Sequence, residues 1–223
     1  MNNEMVAENI TVYFKIKRAL YLIIKRVFDI CVSLVGLIFL IPLTIFIKIA
    51  YMLTGDFHRV IFVQDRIGKD GKNFKFFKYR SMVPNADQVL FELMEKDEKI
   101  RKEYEENKKL KNDPRITKVG KFIRRFSIDE LPQILNIFLG DMSLIGNRPY
   151  LPREKEDMGK YFDDIVRTKP GLTGLWQVSG RSNTTFLQRC KLEQEYSKKA
   201  GLKLDTKIFF KTFKVVLGGK DAK

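Results

Sequence analysis

Residues 30–47 read ICVSLVGLIFLIPLTIFI, eighteen positions without a charge from Ile30 to Ile47. A helix needs about 20 apolar residues to cross the hydrocarbon core of a bilayer, so this run lies near the lower limit of a span. Its surroundings argue against a straight crossing. Asp29 stands at its entrance, Pro42 lies past its middle and Lys48 closes it. A proline removes one backbone donor and crowds the carbonyl four residues back, so a helix kinks or breaks there. Basic residues flank both ends: Lys25 and Arg26 before the run, then Lys48, Arg59 and Arg66 after it. The bias of Lys and Arg towards the cytoplasmic side asks for both ends on that one face. A buried core helix and a single crossing are the alternatives. A re-entrant helix, broken at Pro42 and leaving by the leaflet it entered, satisfies both constraints. A secretory signal is a poor fit, because the run starts late and no small-residue cleavage site follows.

Outward from this run the chain divides into a basic lead-in over 1–24, the membrane segment over 25–53, a cytoplasmic domain over 54–217 and a tail over 218–223. The expected fold is α/β, mostly helical with short strands. An apolar content of 44% is enough for a core, and a net charge of +15 points to a polyanionic partner: nucleic acid, an anionic membrane face or phosphorylated substrates. The two cysteines, Cys31 and Cys190, are far apart and do not suggest a disulfide framework. With a single histidine, His58, a multi-histidine zinc site cannot be assembled, and a histidine-based triad would depend wholly on His58, which has no Ser or Cys nearby in a recognisable motif. Carboxylate chemistry remains.

Strand-like runs occupy Arg59–Gln64 and Asn73–Tyr79 around a Gly68–Gly71 turn. The stretch FKFFKYRSM, from Phe74 to Met82, alternates aromatic and basic residues. It reads as a half-buried strand with Lys and Arg facing phosphates, as a base-stacking strip, or as a plain amphipathic edge. Pro84–Lys111 is a charged helical stretch with Leu90, Leu93 and Met94 as its thin apolar side. Two amphipathic segments follow, Lys118–Phe126 and Leu204–Leu217, the second suited to a membrane interface.

Ser127-Ile128-Asp129-Glu130-Leu131-Pro132-Gln133 carries the chemistry. Proline is tolerated in a helix's first turn, so the two carboxylates fall at a helix N-terminus, with Gly140 as its stop. That end holds carboxylates ionised and favours phosphates. An ionised Asp129 can attack phosphorus, and Glu130 beside it can hold a divalent metal. A simple capping role is the commoner reading of such a pair alone. Downstream, Gly146 and Pro149 fix a loop that aims Arg148, and the Gly-rich loop Lys169–Arg181 lets backbone amides approach a ligand. The spacing of that loop matches neither a Walker loop nor a dinucleotide fingerprint.

In order, the runs KRVFD (25–29), FKYRSM (77–82), DPRIT (113–117), GKFIRR (120–125), DELPQ (129–133), GDMSLIG (140–146) and the Lys169–Arg181 loop resemble the bacterial sugar transferases, the monotopic phosphoglycosyl transferase family, in its small single-domain form. Two positions depart from the family pattern: Asn147 precedes Arg148-Pro149 where a proline is usual, and Ile41 precedes Pro42 where serine is common. The serine hydroxyl would have satisfied backbone groups freed by the kink. The resemblance implies transfer of a sugar-1-phosphate from a UDP-sugar to polyprenyl phosphate with release of UMP. This would occur at the cytoplasmic face of the bacterial inner membrane, initiating a capsule, exopolysaccharide, O-antigen or glycoprotein glycan that downstream glycosyltransferases extend. It implies Asp129 as nucleophile, Glu130 and Asp129 as the Mg²⁺ site, and Lys78, Arg80, Arg124, Arg148 and Arg181 as substrate contacts, with no nucleic acid involved. A membrane-tethered nucleic-acid binder or a non-catalytic assembly protein would explain the charge but not the Asp129–Glu130 pair.

Overall fold

In the computed structural model, which describes residues 2–107, 110–180 and 184–218, the apolar run lies inside one helix, α1 (Asn2–Leu53). Residues 2–24, expected as a separate lead-in, are thus the first part of the same helix. The break expected at Pro42 is not a gap: helical backbone continues on both sides of it. Hydroxyls stand where the proline disturbs the backbone. Thr44 Oγ1 donates to the Leu40 carbonyl at 2.7 Å and lies 2.6 Å from the Tyr79 hydroxyl. Such back-bonding by Thr bends a helix. Both hydroxyls stand at the Leu40 carbonyl, two residues from the Ile38 carbonyl that Pro42 leaves without its donor.

One face of α1 is held by the rest of the chain from Tyr21 to Tyr51. Tyr21 and Lys25 both bond Asp205, and Arg26 donates to the carbonyls of Ile137 and Phe138 at 2.6 and 2.8 Å. Asp29 accepts from the Leu144 amide at 2.9 Å and the Ser143 hydroxyl at 3.1 Å. Gly36 sits where an added Cβ would come 2.8 Å from Ile134, and the Tyr51 hydroxyl bonds the Arg80 carbonyl. These positions recur every three or four residues and so form a single stripe. The opposite stripe, including Val35, Ile38, Phe39, Ile41 and Phe46, is exposed. By length and composition this helix could cross a membrane, and only 11% of its apolar stretch is buried. Lys25, Arg26 and Lys48, read as flanking charges, instead bond within the fold, Lys48 to the carbonyls of Phe57 and His58.

An antiparallel hairpin follows, β1 (Ile61–Ile67) and β2 (Asn73–Tyr79), in the register Gln64↔Phe76 and Arg66↔Phe74. Opposed residues share a face, so Arg66, Gln64, Phe74, Phe76 and Lys78 lie on one side. Phe76 and Tyr79 are buried, which removes the base-stacking reading of this strand. The charged stretch expected as one helix is two, α2 (Ala86–Lys96) and α3 (Glu98–Asn107). Extended backbone at Asp97 divides them, and its carboxylate accepts from the Lys99 amide at 2.8 Å.

Next come α4 (Lys118–Arg125) and α5 (Gln133–Leu139). β3 (Ser143–Ile145) pairs in parallel with β4 (Gly171–Thr173), and the short helices α6 (Lys155–Met158) and α7 (Phe162–Ile165) lie between them. Finally α8 (Leu175–Ser179), α9 (Phe186–Lys199) and α10 (Leu202–Gly218) close the chain. The main core gathers Phe76, Ile137, Met142, Leu144, Ile145, Tyr196 and Ile208 from five of these elements and the turn before β3. A second cluster ties Ile47 and Tyr51 of α1 to Tyr79 and Ile123.

Candidate active site

The two carboxylates sit one step before α5. Ile128–Glu130 is a 3₁₀ turn, entered through Ser127 in a left-handed conformation (φ 54°) and passed to α5 by Pro132. A non-glycine residue there stores strain that its surroundings must hold, a pattern common at functional sites. Gly140 (φ 96°) ends α5 as expected, its amide bonding the Asn136 and Ile137 carbonyls. The buried face of α5 is Gln133, Asn136 and Ile137, while Leu139 is exposed. Asn136 explains the polar choice. Its side chain accepts from the Phe77 amide at 3.1 Å and donates to the Lys75 carbonyl at 2.6 Å, taking the place of a third strand beside β2. Lys78 follows directly, so Asn136 couples the carboxylate turn to the strand that carries this lysine.

Glycines bring in the other wall. A Cβ on Gly174 would stand 2.0 Å from the Gly146 carbonyl oxygen, and one on Gly146 would stand 2.4 Å from that of Lys169. Gly171 and Gly174 of the Lys169–Arg181 loop therefore serve close contact with the Gly146 loop, and Gly171 also lines the cleft where approach to a ligand was expected. That contact fixes Arg148. Its amide donates to buried Glu193 at 3.1 Å, and its guanidinium stands 5.7 Å from the Trp176 ring. Burial pushes the Glu193 carboxyl up to about 7.

Between these walls lies a cleft lined by Arg66, Phe76, Lys78, Glu130, Gln133 and Arg148 among others. Lys78, Glu130 and Arg148, all expected at the site, meet there. Asp129, 7% exposed, adjoins it. Burial raises its carboxyl above the ordinary range, with Lys78 and Arg124 pulling it back and Glu130 pushing it further. The ionising effect expected from a helix N-terminus is thus outweighed by desolvation, and cations supply the compensation. Lys78 is lowered by burial and raised by Glu130 and Asp129. Arg124 stands exposed on the last turn of α4.

Arg80 is not part of this cleft, which corrects the expectation for it. Its guanidinium pairs with Asp56 at 2.9 Å, bonds the carbonyls of Arg59 and Met82, and stacks over Tyr51. Arg181 lies outside the described residues. Asp29 ties α1 to β3, and Pro42 lies beside the hydroxyl pair already described. The reading of residues alone missed Gln133, Asn136 and the role of Arg66, which it took as a flanking charge. Two-residue alternation along β1 was the available signal for Arg66, but only the hairpin register shows which face it shares. Among the described residues no cluster of three or more His, Cys, Asp or Glu could hold a metal. Magnesium is commonly held by one or two carboxylates together with substrate phosphates, and Glu130 with Asp129 fits that donor set.

The family model for bacterial sugar transferases matches residues 20–219. The chain belongs to that family. Undecaprenyl-phosphate galactose phosphotransferase of Salmonella typhimurium is 47% identical over 197 residues, which are 87% of this chain and 40% of that protein. UDP-glucose:undecaprenyl-phosphate glucose-1-phosphate transferase of Escherichia coli is 35% identical over 198 residues, 85% of this chain and 39% of its own length. Exopolysaccharide production protein ExoY of Rhizobium meliloti is 38% identical over 192 residues, 86% of this chain and 84% of that protein. The chain spans less than half the length of the first two relatives and most of ExoY. The match to the bacterial sugar transferases takes in the α1 anchor points, the carboxylate turn and both cleft walls.

Proposed function

We propose that this chain is a phosphoglycosyl transferase that moves a sugar-1-phosphate from a UDP-sugar to polyprenyl phosphate and releases UMP. One observation carries this reading: Glu130 lines, and the neighbouring Asp129 adjoins, a cleft whose cations have no carboxylate within ion-pair distance. Arg66, Lys78 and Arg148 make no ion pair among the described residues. Buried cations left unpaired are costly unless an anion completes them, and a diphosphate does so.

A carboxylate oxygen of Asp129 attacks the β-phosphorus. The bond from that phosphorus to the bridging oxygen breaks, and its electron pair leaves with UMP. A phosphosugar–aspartyl ester remains, and a phosphate oxygen of the polyprenyl phosphate then attacks the same phosphorus and frees Asp129. Dividing one displacement in two lowers the barrier of each. Burial keeps the Asp129 carboxylate basic, while Lys78 and Arg124 favour its ionised form. Lys78 and Arg148 hold the phosphates in line and offset charge as it develops. Mg²⁺ on Glu130 and Asp129 would neutralise the diphosphate.

The lipid acceptor asks for a site at a membrane surface. Because the domain follows one stripe of α1 on both sides of Pro42, only the opposite apolar stripe is left for lipid. The helix therefore enters the membrane sideways and stays in one leaflet, as a re-entrant or in-plane anchor at the cytoplasmic face. Phe122 and Phe126 of α4 and Phe210 and Phe213 of α10, all exposed, add interfacial contacts. The product, a lipid-linked sugar, is the substrate for glycosyltransferases acting downstream.

The test is intact-protein mass after mixing membrane-held enzyme with Mg²⁺ and a panel of UDP-sugars, without acceptor. The expected result is a gain of one sugar phosphate, absent in Asp129→Asn and reversed by polyprenyl phosphate. No adduct with any donor, alongside UMP release only when the lipid is present, would replace the covalent route with direct transfer.

A further inference from the structure

Arg66 occupies a position that a merely structural arginine does not need. It is 7% exposed, yet it lines the cleft beside Lys78, Glu130 and Arg148. Two of its five donors are committed, Nη1 to the Pro149 carbonyl at 3.0 Å and Nη2 to Gln64 Oε1 at 2.9 Å. Its Nε is buried without a partner, and so is that of Arg148. No carboxylate lies within ion-pair distance of either guanidinium among the described residues. The Phe76 ring, 5.2 Å from the guanidinium carbon, backs Arg66 on the strand face that also carries Lys78.

We infer that Arg66 is a further substrate-binding residue, donating from its guanidinium to the diphosphate of the sugar donor alongside Arg148. The inference rests on the diphosphate donor proposed above. A guanidinium offers donors in a fixed fork and binds phosphate oxygens two at a time, which a lysine cannot do. Burial and the nearby Arg148 lower the Arg66 guanidinium to about 9. Burial disfavours the charged form of this guanidinium, and an anion bound beside it would favour that form.

A structural alternative has Arg66 holding only the Pro149 carbonyl and acting through Arg148. Pyrophosphate binding, measured by calorimetry on the full chain in nanodiscs, separates the two. Arg66→Gln is expected to weaken binding about tenfold or more, the loss of one charge-assisted contact. Arg66→Lys keeps the charge without the fork; it is expected to fall between Arg66→Gln and the unaltered chain, and it serves if Arg66→Gln fails to fold. Arg66→Gln should weaken binding further in an Arg148→Gln background, since a direct contact does not act through its neighbour. Unchanged affinity in both Arg66 variants, or a loss that vanishes in the Arg148→Gln background, would overturn the inference. UMP release by the unaltered chain is scored separately. Arg66-dependent pyrophosphate binding without UMP release from any UDP-sugar would remove the transferase reading and keep the anion site.

Discussion

Two groups of cations set into the fold are treated in opposite ways. Arg80 and Arg115, 7% and 6% exposed, each have a carboxylate of their own: Arg80 pairs with Asp56, and Arg115 is gripped at two points by Asp113 at 2.6 and 2.8 Å. Hydrogen bonds from Asp113 raise the Arg115 guanidinium, whereas burial lowers Arg66 and Lys78. The first group closes its charge locally and so fixes structure. The second leaves its charge open towards a cleft that also holds Glu130. The lesson is that an arginine in a motif is assigned by its partner, and the partner is seldom adjacent in sequence.

That contrast predicts losses of different kinds. Asp129→Asn should lower transfer on the order of 10⁴-fold, as removal of a nucleophile does, with stability at neutral pH unchanged or higher. The sign follows from burial. Folding raises this carboxyl above its ordinary 3.8, so its stabilising contribution is full below 3.8 and is lost as pH rises through the raised value. A loss of thermal stability at neutral pH in Asp129→Asn would contradict this. Asp113→Ala strands a buried guanidinium and should cost about 3–5 kcal/mol of unfolding free energy, measured by denaturant titration. A loss below 1 kcal/mol would show that the paired group is not structural.

Lys78→Met should reduce kcat/KM about 10²–10³-fold, the usual cost of one preorganised charge, without a comparable loss of stability. It should also move the acid limb of the pH profile upward, because Lys78 lowers the Asp129 carboxyl. An unshifted limb would separate Lys78 from Asp129. The smallest effect is expected at the membrane helix, where Thr44→Val removes the bonds to Leu40 and Tyr79 and should cost about 1 kcal/mol. Equal melting temperatures of the variant and the unaltered chain would take Thr44 out of the account of Pro42.

Legibility followed the range of the interactions. Gly140 as a helix stop, the strand over 73–79 and the apolar run were readable because each depends on neighbours in sequence. Asp129, Glu130 and Arg148 were legible from their own neighbours, Lys78 became a substrate contact through motif resemblance, and the fold brings the four to one cleft or beside it. Arg80, drawn from the same motif as Lys78, was misplaced: side chains two residues apart can face the same way and still end against different partners, here Asp56 and the cleft. The Pro84–Lys111 stretch was read as one helix because charge patterning does not reveal a capping aspartate at Asp97.

By itself, then, the amino-acid order determined a long apolar helix, a carboxylate pair ahead of a proline, and a strongly basic domain, all properties of local composition and spacing. Tertiary structure alone decided which charges remain open. Lys25 and Arg26 are consumed by Asp205 and the end of α5, and Arg80 by Asp56, whereas Arg66 and Lys78 are left facing the cleft. The reason is physical: a buried charge is settled by whichever opposite charge or dipole folding brings within a few ångströms, and sequence distance does not encode that contact.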